Sequence, residues 1–534
     1  MTTPAGYDAI VIGGGHNGLV NAAYLAKAGL STLVLERRYV IGGAAVTEEL
    51  YPGFHFTTFS YAISLLRPEI VHDLDLVKHG MLVIPMTTSF APMDNGDYLH
   101  LGADSEENYH EVARHSRKDA EALRDYRNLM GRVAHAVKPL LDEIPPNVVS
   151  QEPDEVAHLA DVAGYLRDLD PRVLNMLVRL VGGSASDILD EYFESDIVKG
   201  LLASSGIIGS RVGPRSHGSG LVLLYHMMGE IDGVFGKWGF HKGGNGGFTQ
   251  AVGRAAQAFG AEIRLNTGVS SVITKNGTAL GVALESGEEI YASTIVSALD
   301  PRRTFLQFVE PRDLPSDLVD AIEAYKFQGT SAKVNFALDA PPRYPALGNR
   351  TDMFHGMINI APSIDYLEQA FDDAEGGTFS RRPYIDGAVQ SILDPDMAPP
   401  GKHILSCFIQ YTPYELADSD WDSEREDLGD TVQATLESYF PGFGNLILYR
   451  DVVTPLDIER KIGLSEGNIF AGEFLTPQMY LFRPAPGWNQ YRTPINGYYQ
   501  CGSGTHPGGC VMGAPGRLAA RQILGDLSPN GRSA

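Results

Sequence analysis

A glycine-rich turn near the start of the chain constrains the fold more than any other feature of the sequence. The turn lies in the stretch YDAIVIGGGHNGLVNAAYLAKAGLSTLVLERR, between the apolar residues 8–12 and a run of small, helix-forming residues. Residues 31–35 are mostly apolar again, so the predicted order is strand, glycine turn, helix, strand. This order defines a βαβ unit, whose strands lie parallel in one sheet. The sequence therefore predicts an α/β fold built on a Rossmann-like parallel sheet.

The glycines of this turn also indicate a ligand. Gly13, Gly15 and Gly18 have G-x-G-x-x-G spacing, in which the first permits a tight turn, the second lets a pyrophosphate approach the backbone, and the third allows close packing of helix and sheet. Glu36 ends the second predicted strand, where an acidic side chain accepts hydrogen bonds from a ribose. These residues predict a dinucleotide site, and their spacing alone leaves NAD and FAD as alternatives.

A second glycine turn, Gly42 and Gly43, follows Glu36 closely. A simple NAD-binding domain would continue into another helix at this point. The turn is consistent with a chain that passes along a bound dinucleotide, and the alternative is an ordinary surface turn.

The charge balance and length exclude some classes of protein. The chain has 534 residues, with 66 acidic and 42 basic side chains and a net charge of −24. Nucleic-acid binding needs clustered basic side chains, so no nucleic-acid partner is expected. A chain of this length exceeds what one hydrophobic core supports, which predicts two or more structural units.

The three cysteines, Cys407, Cys501 and Cys510, form no Cys-x-x-Cys pair, and no Cys/His cluster has the spacing of metal ligands. Thiol-disulfide catalysis and a metal centre are therefore not expected. No apolar run approaches the ~20 residues that cross a bilayer, and the first strand leaves no room for a secretory signal before it. We expect a cytoplasmic protein, and no sequence feature predicts its oligomeric state.

The dinucleotide domain is predicted to be discontinuous. A helix and strands follow residue 235, including a hairpin and a separate strand at residues 294–297, and GYYQCG gives a strand near the end. We predict an FAD or NAD domain from residues 1–75, 235–330 and 455–534. A substrate or cap domain, a mixed sheet plus helices, comprises residues 76–234 and 331–454. Its clearest helix has an apolar stripe from Leu123 to Leu140, preceded by a capping box formed by Ser116 and Asp119.

The final glycine-rich segment, CGSGTHPGGCVMGAPGRLAA, precedes the last predicted helix, which begins within residues 512–515. The positive end of this helix dipole can stabilise negative charge on a bound group. His506 is the only side chain of the loop that titrates near neutral pH, which makes it a candidate for catalytic proton transfer. The alternative is that His506 orders the loop through a backbone hydrogen bond.

The chain resembles the phytoene desaturase-like FAD oxidoreductases over nearly its whole length, and most closely the group called pyridine nucleotide-disulfide oxidoreductase domain-containing protein 2. The motifs that carry the resemblance include VIGGGHNGLVNAAYLAKAG, LERRYVIGGAAVTEELYPGF, WGFHKGGNGGFTQAV, SALDP and YRTPINGYYQCGSGTHPGGCVMGAPGRLAA. The resemblance implies FAD rather than NAD and a two-domain fold. The motif positions that it implies for FAD binding are Gly13, Gly15, Gly18, Glu36, Arg37, Gly42, Gly43, Thr58, Ser60, Val269, Gly502, Gly504, Gly509, Val511 and Met512.

Two departures refine this expectation. Many relatives have an arginine after the paired glycines, where this chain has Ala44, so Arg37 or Arg38 is expected to supply that contact with the pyrophosphate. There is also no second G-x-G-x-x-G after a strand and no redox cysteine pair. NADPH as a direct reductant and disulfide reduction are therefore not expected, despite the name of the group.

The resemblance implies an FAD-dependent oxidoreductase that dehydrogenates or isomerises a hydrophobic, polyene or isoprenoid-like small molecule, with hydride transfer at the flavin N5. One alternative is an amine or alcohol oxidase that uses oxygen, which a small polar cavity would favour. Another is a flavin-stabilised interaction protein at a membrane or respiratory complex. Contact with a membrane surface is part of this expectation.

Overall fold

A computed structural model describes residues 6–231 and 233–528. The β-strands of these ranges, in chain order β1 to β20, are Tyr7–Ile12, Thr32–Leu35, Thr47–Tyr51, Phe54–Thr57, Val83–Pro85, Ser89–Pro92, Tyr98–Leu101, Glu230–Ile231, Val234–Phe235, Gly239–His241, Glu262–Arg264, Val269–Lys275, Thr278–Leu284, Glu289–Ser297, Ser331–Leu338, Met357–Ile360, Tyr384–Ala388, His403–Gln410, Ile447–Val453 and Tyr498–Gln500. The α-helices, in chain order α1 to α15, are His16–Lys27, Pro68–Asp73, Ser105–Ala113, Arg117–Val137, Pro153–Arg167, Pro171–Gly182, Ala185–Tyr192, Asp196–Ser204, Ser219–Met227, Gly246–Ala258, Ser316–Glu323, Ile364–Glu375, Trp421–Tyr439, Pro455–Ile462 and Ala514–Leu527.

The first sheet joins the start, the middle and the end of the chain. Its strand order is β11-β2-β1-β14-β13-β12, and β20 also pairs with β14. Strands β11, β2, β1 and β20 run parallel to their neighbours, whereas β12 and β13 are antiparallel. This mixed sheet confirms the predicted α/β class.

Both faces of this sheet are buried, as its central strand shows. Along β1, Ala9 and Val11 pack into one hydrophobic core, while Ile10 and Ile12 pack into another on the opposite face. The alternation follows the two-residue period of a strand, and apolar residues on both faces are typical of parallel sheets covered on each side. Helix α1 packs against both α10 and α15 on one of these faces.

The prediction of a separate strand at residues 294–297 is wrong, because these residues do not form a strand of their own. They are the second half of a single strand, β14, whose first half forms the hairpin with β13 and whose second half pairs in parallel with β1. No glycine or proline interrupts the nine residues of β14, so nothing ends the strand between its two partners.

The second sheet has the order β19-β15-β18-β17-β16-β6-β7. Its neighbouring strands are antiparallel, except for the parallel pair β6 and β16. Strand-like runs after residue 330 therefore form a sheet, as the sequence predicts, and β6 and β7 extend it from earlier in the chain.

Helices α3 to α9 make up most of the chain between β7 and β8. The apolar stripe predicted from Leu123 lies in α4, where Leu123, Met130 and Val133 are buried. The predicted capping box is half formed: the Ser116 hydroxyl accepts from the Asp119 amide at 3.1 Å, but the Asp119 carboxylate instead accepts from backbone amides that precede α8. Among the described helices, none combines the length and apolar character that a bilayer crossing requires. Contact with a membrane surface stays a prediction.

The close contact of α1 with α15 depends on one glycine. A Cβ atom at Gly516 would lie 2.2 Å from the carbonyl oxygen of Asn17. We expect Gly516→Ala to lower the free energy of unfolding by about 1–3 kcal/mol, because the helices must separate. Gly525→Ala in the same helix is the matched control, since its Cβ would meet no atom within 4 Å. Thermal denaturation should show a lower midpoint for the first variant alone, and equal midpoints would contradict this packing.

Candidate active site

One cavity of about 950 Å³ connects the glycine turn after β1 with the second sheet. At one end it is lined by Gly13, Gly15 and Glu36, and at the other by Lys333 and Asp386 of the second sheet. A cavity of this kind has room for a ligand that extends from one sheet to the other.

The glycine turn has the geometry that its spacing predicts. Gly13 has φ +99°, a backbone conformation that residues other than glycine rarely adopt. A Cβ at Gly18 would lie 2.2 Å from the Gly13 carbonyl oxygen, whereas a Cβ at Gly15 would meet no protein atom within 4 Å. Gly18 therefore serves helix packing, and Gly15 leaves an open face at the cavity.

The second glycine turn lies directly against the first. The Gly42 amide donates to the Gly14 carbonyl at 2.8 Å, and a Cβ at Gly43 would lie 3.2 Å from the Gly15 Cα. Gly43 lines the cavity, while Gly42 forms a parallel β-bridge with Gly15 of the first turn. This placement favours the interpretation of a chain that passes along a dinucleotide over that of a surface turn.

Polar atoms at this end of the cavity fit a dinucleotide. The Glu36 carboxylate is fixed at the end of β2 by the amides of Gly14 and Arg38, each at 2.8 Å. Buried polar atoms that lack a hydrogen-bond partner among the described residues include three in residues around the glycine turns that line the cavity: His16 Nε2, Asn17 Oδ1 and Arg38 Nη1. Buried polar groups are normally paired, so these atoms and the open face at Gly15 fit the phosphates and ribose of FAD.

The other predicted FAD residues in the first 300 positions divide into two groups. Arg37, Ser60 and Val269 line the cavity. Thr58 does not line it; its side chain is buried, and its hydroxyl donates to Glu48 at 3.0 Å. The Glu48 carboxylate also holds the Arg38 guanidinium at 2.7 Å, which leaves Arg37 as the more exposed cation at this end.

The predicted glycines of the C-terminal loop do not line the cavity. Of the loop's predicted residues only Val511 is part of the lining, together with Ser503 and Cys510. A Cβ at Gly502 would lie 2.3 Å from the Leu299 carbonyl oxygen, and one at Gly504 would lie 2.3 Å from Pro301. These two glycines, like Gly509 against Phe470, fit the loop against neighbouring protein instead of lining the cavity. Met512 is likewise buried, and its carbonyl accepts from the Arg67 amide.

His506 also lies away from the cavity lining. It is buried, and its Nε2–H donates to the carbonyl of Leu140 at 2.8 Å. Its own carbonyl accepts from the Tyr491 hydroxyl at 2.9 Å. Burial lowers the pKa of His506 to about 3, so the ring is neutral and not suited to accept a proton. The geometry therefore favours the structural alternative for His506 over the catalytic one.

Four side chains form a single row across the second sheet at the far end of the cavity. Lys333 of β15 faces Phe408 of β18, Phe408 faces Asp386 of β17, and Asp386 faces Asn359 of β16. All four line the cavity, since directly opposed residues lie on the same face of a sheet. We call the end of the cavity that lies against the second sheet the chamber, and these four residues the chamber row.

Hydrogen bonds connect the chamber row with Tyr61. The Asp386 carboxylate accepts from the Tyr61 hydroxyl at 2.6 Å and from the Asn359 amide at 2.9 Å. The Lys333 amine donates to the Ser406 hydroxyl at 2.6 Å and lies 4.2 Å from the centre of the Tyr61 ring. No ion pair joins Lys333 directly to a described carboxylate within 4 Å.

Burial brings the two charged groups of the row to similar pKa values. It lowers the pKa of the Lys333 amine to about 7, although the negative charges of Asp386 and Asp451 oppose this. It raises the pKa of Asp386 to about 7, against the stabilising effect of Tyr61, Lys333 and Asn359. Both groups can therefore gain or lose a proton near neutral pH, which is typical of catalytic positions.

A neutral wall completes the chamber. His226 stacks on Trp238 with ring centres 5.9 Å apart, and its Nδ1–H donates to the Val222 carbonyl at 2.9 Å. Its Nε2 lies 4.0 Å from the Cys510 sulfur. Burial lowers the pKa of His226 to about 4 and raises the pKa of the Cys510 thiol, so this wall carries no charge.

The chamber row is the part of the site that the sequence prediction missed. One signal was present: Lys333 in SAKVNFAL and Asp386 in YIDGA are single charged residues inside otherwise buried strands. A buried charge is costly unless it has a partner or a role. The juxtaposition of the two depends on the register of three strands, which sequence patterns do not specify.

Comparisons with known proteins show which family this chain is similar to. The family model described as flavin containing amine oxidoreductase matches residues 18–524. Pyridine nucleotide-disulfide oxidoreductase domain-containing protein 2 of Rattus norvegicus is 41% identical, over 98% of this chain and 94% of the relative. A limonene dehydrogenase subunit from Castellaniella defragrans is 27% identical, over 98% of this chain and 95% of the relative. The crystal structure of an oxidoreductase from Methanosarcina mazei superposes with a TM-score of 0.58 at 17% identity, covering 97% of this chain and 99% of that chain.

The fold, the dinucleotide turn and the adjoining chamber together define an FAD-dependent oxidoreductase. The chain belongs to the family of flavin containing amine oxidoreductases. The predicted resemblance, the enzyme class and the FAD cofactor are thereby confirmed.

The open face at Gly15 gives a test of where FAD binds. Gly15→Ala places a Cβ in the cavity without touching protein, so we expect the apoprotein to keep its thermal midpoint while FAD affinity falls about tenfold or more, or at least ~1.4 kcal/mol. Fluorescence titration of the apoprotein with FAD measures this. Gly164→Ala, in α5 with an equally open Cβ position, is the control, and equal FAD affinity of both variants would place the cofactor elsewhere.

The role of His506 is tested separately. His506→Ala leaves the half-buried Leu140 carbonyl without its donor, which costs about 1–3 kcal/mol of unfolding free energy, and it removes nothing from the cavity lining. We expect a lower thermal midpoint and an unchanged rate of flavin reduction per bound flavin. A slower reduction at full flavin occupancy would restore His506 as a catalytic candidate.

Proposed function

We propose that this protein dehydrogenates or isomerises a hydrophobic, isoprenoid-like small molecule. The observation that supports this best is the chamber that continues the cofactor cavity, because its wall outside the chamber row is largely apolar. That wall includes these side chains: Met86, Leu202, Ile208, Met227, Trp238 and Phe470. Such a wall binds an apolar molecule by removing apolar surface from water. The name of one relative, the limonene dehydrogenase subunit, specifies an isoprenoid substrate and supports the same substrate class.

The chamber row supplies the proton chemistry that such a reaction needs. FAD, when bound, supplies the acceptor for a hydride. Dehydrogenation of neighbouring carbons also releases a proton. We assign its acceptance to Lys333 at Nζ, and Asp386, whose pKa is also about 7, is the alternative base of the chamber row. Because its pKa is near 7, a large fraction of Lys333 is the neutral amine at neutral pH.

The surroundings of Lys333 stabilise the charge that it gains. The Tyr61 ring, 4.2 Å away, provides a cation–π contact, and the Ser406 hydroxyl lies 2.6 Å from Nζ. The Asp386 carboxylate, fixed by Tyr61 and Asn359, adds a negative charge to the same row. These side chains are buried, so bulk water does not compete with the substrate for the proton.

Oxidation of an amine is a second candidate, and one observation favours it. The Asp386 carboxylate lies in the chamber with two hydrogen-bond donors fixing its position, and a buried carboxylate can pair with a substrate ammonium. The largely apolar wall favours the first proposal, because an amine oxidase was expected to have a small polar cavity.

Anaerobic reduction of the flavin by a panel of donors distinguishes these proposals. The panel contains limonene and β-carotene as isoprenoids, putrescine and octylamine as amines, and octanol as an alcohol, with loss of the flavin absorbance as the signal. Bleaching by an isoprenoid supports the first proposal. Bleaching by amines or octanol alone overturns it in favour of an amine or alcohol oxidase. Failure of every donor would favour the flavin-stabilised interaction protein that the sequence also allowed.

The base role of Lys333 predicts a pH dependence. With whichever donor bleaches the flavin, the reduction rate should rise with pH and level off above about 7, as Lys333 loses its proton. Lys333→Met should slow reduction by about 100- to 10,000-fold, the usual contribution of a positioned base, and remove that pH step. Lys326→Met, an exposed lysine before β15, is the control with an unchanged profile. Retention of the pH step in Lys333→Met would assign the base to Asp386, the other group of the chamber row with a pKa of about 7.

A further inference from the structure

The chamber meets a second cavity at helix α4. This second cavity, of about 580 Å³, is more open to solvent than the first. Arg127 and Gly131 of α4 and Phe235 of β9 line both cavities. A Cβ at Gly131 would meet no atom within 4 Å, so the helix leaves a gap at this position. These three residues therefore stand where the chamber opens toward the protein surface.

Arg127 is the one charged residue among these three, and the proposed reaction gives it no role. Its side chain is half-buried, and within the described ranges no hydrogen bond or ion pair holds its guanidinium. Burial lowers the pKa of Arg127, which reflects the cost of a cation with little water and no counter-charge. Lys237 lines the adjoining part of the main cavity and likewise makes no ion pair with a described residue.

Three acidic side chains around the junction that the structure describes are each paired with another cation. The pairs are Asp125 with Arg172 at 2.6 Å, Asp170 with Arg132 at 3.2 Å, and Glu230 with Lys138. In a chain with a net charge of −24, two cations that make no ion pair with a described residue, beside a largely apolar wall, are a local exception. Their positive charge is left to face the cavity.

We propose that Arg127 and Lys237 bind an anionic group, a carboxylate or a phosphate, carried by the hydrophobic substrate. The planar guanidinium of Arg127 matches either group through two parallel hydrogen bonds. The apolar body of the molecule then lies in the chamber toward the chamber row, and its anionic end stays at the junction. The inference rests on the proposed function for the apolar body, and it narrows the substrate to an amphipathic molecule.

Ligand binding to the intact flavoprotein tests this. The holoenzyme is titrated with dodecanoate, dodecyl phosphate, dodecanol and dodecylamine, four probes with the same chain, and changes in the flavin spectrum report binding. We expect one or both anions to bind about 10- to 100-fold more tightly than dodecanol, as a hydrogen bond to a charged group implies. The anion with the higher affinity distinguishes a carboxylate from a phosphate.

Variants then assign the preference to this residue. Arg127→Met should remove most of the preference for the anion over dodecanol, with Lys237 carrying the remainder, and should leave dodecanol binding unchanged; Arg127→Gln, the second variant in case the first loses flavin, should do the same. Arg127→Lys should keep part of the preference because it keeps the charge. The matched control is Arg124→Met, an exposed arginine one turn earlier on α4, which should change neither affinity.

Three results would overturn the inference. They are equal affinity for dodecanol and both anions, tighter binding of dodecylamine than of either anion, and an anion preference that is undiminished in both Arg127→Met and Arg127→Gln. The binding experiment and the donor panel test different claims, so a failure of one can be told apart from a failure of the other. Anion preference without reduction by isoprenoids would remove only the proposed reaction, and reduction by isoprenoids without anion preference would remove only the role of Arg127 and Lys237.

Discussion

The close approach of backbone to backbone around Gly15 is the constraint on which the rest of the structure depends. Gly18 brings α1 against the turn after β1, and the Gly42 amide donates to the Gly14 carbonyl at 2.8 Å. Side chains at these positions would fill the space between the segments. Because no side chains are present, the cavity begins at the backbone itself, where phosphates are bound by amides and a helix dipole.

The segment that follows the second glycine turn also positions the polar groups at the other end of the cavity. The chain leaves the second glycine turn through the hairpin of β3 and β4 and reaches Ser60 and Tyr61. The Tyr61 hydroxyl then donates to Asp386 of the second sheet, and its ring lies against Lys333. A segment that begins at the cofactor turn thus ends on the chamber row, so the two ends of the cavity are coupled by one short stretch of chain.

Sequence patterns predicted the nucleotide end of this site and missed the chamber. Gly13, Gly15 and Glu36 belong to one βαβ unit, so local spacing is enough to place them. Lys333 and Asp386 meet only through the register of β15, β18 and β17, which depends on tertiary packing. The resemblance assigned the glycines of the C-terminal loop to FAD binding. Such a motif shows where a backbone can be approached closely, but not whether a cofactor or protein lies there, and Gly502, Gly504 and Gly509 pack against protein.

The central claim is that the glycine turns hold FAD at one end of a cavity whose other end is the substrate chamber. The most direct measurement is the visible spectrum of the purified protein before and after denaturation, with the released compound identified by chromatography. The account predicts a yellow protein that releases one FAD per chain. A colourless preparation that binds NAD and has no affinity for FAD would contradict it.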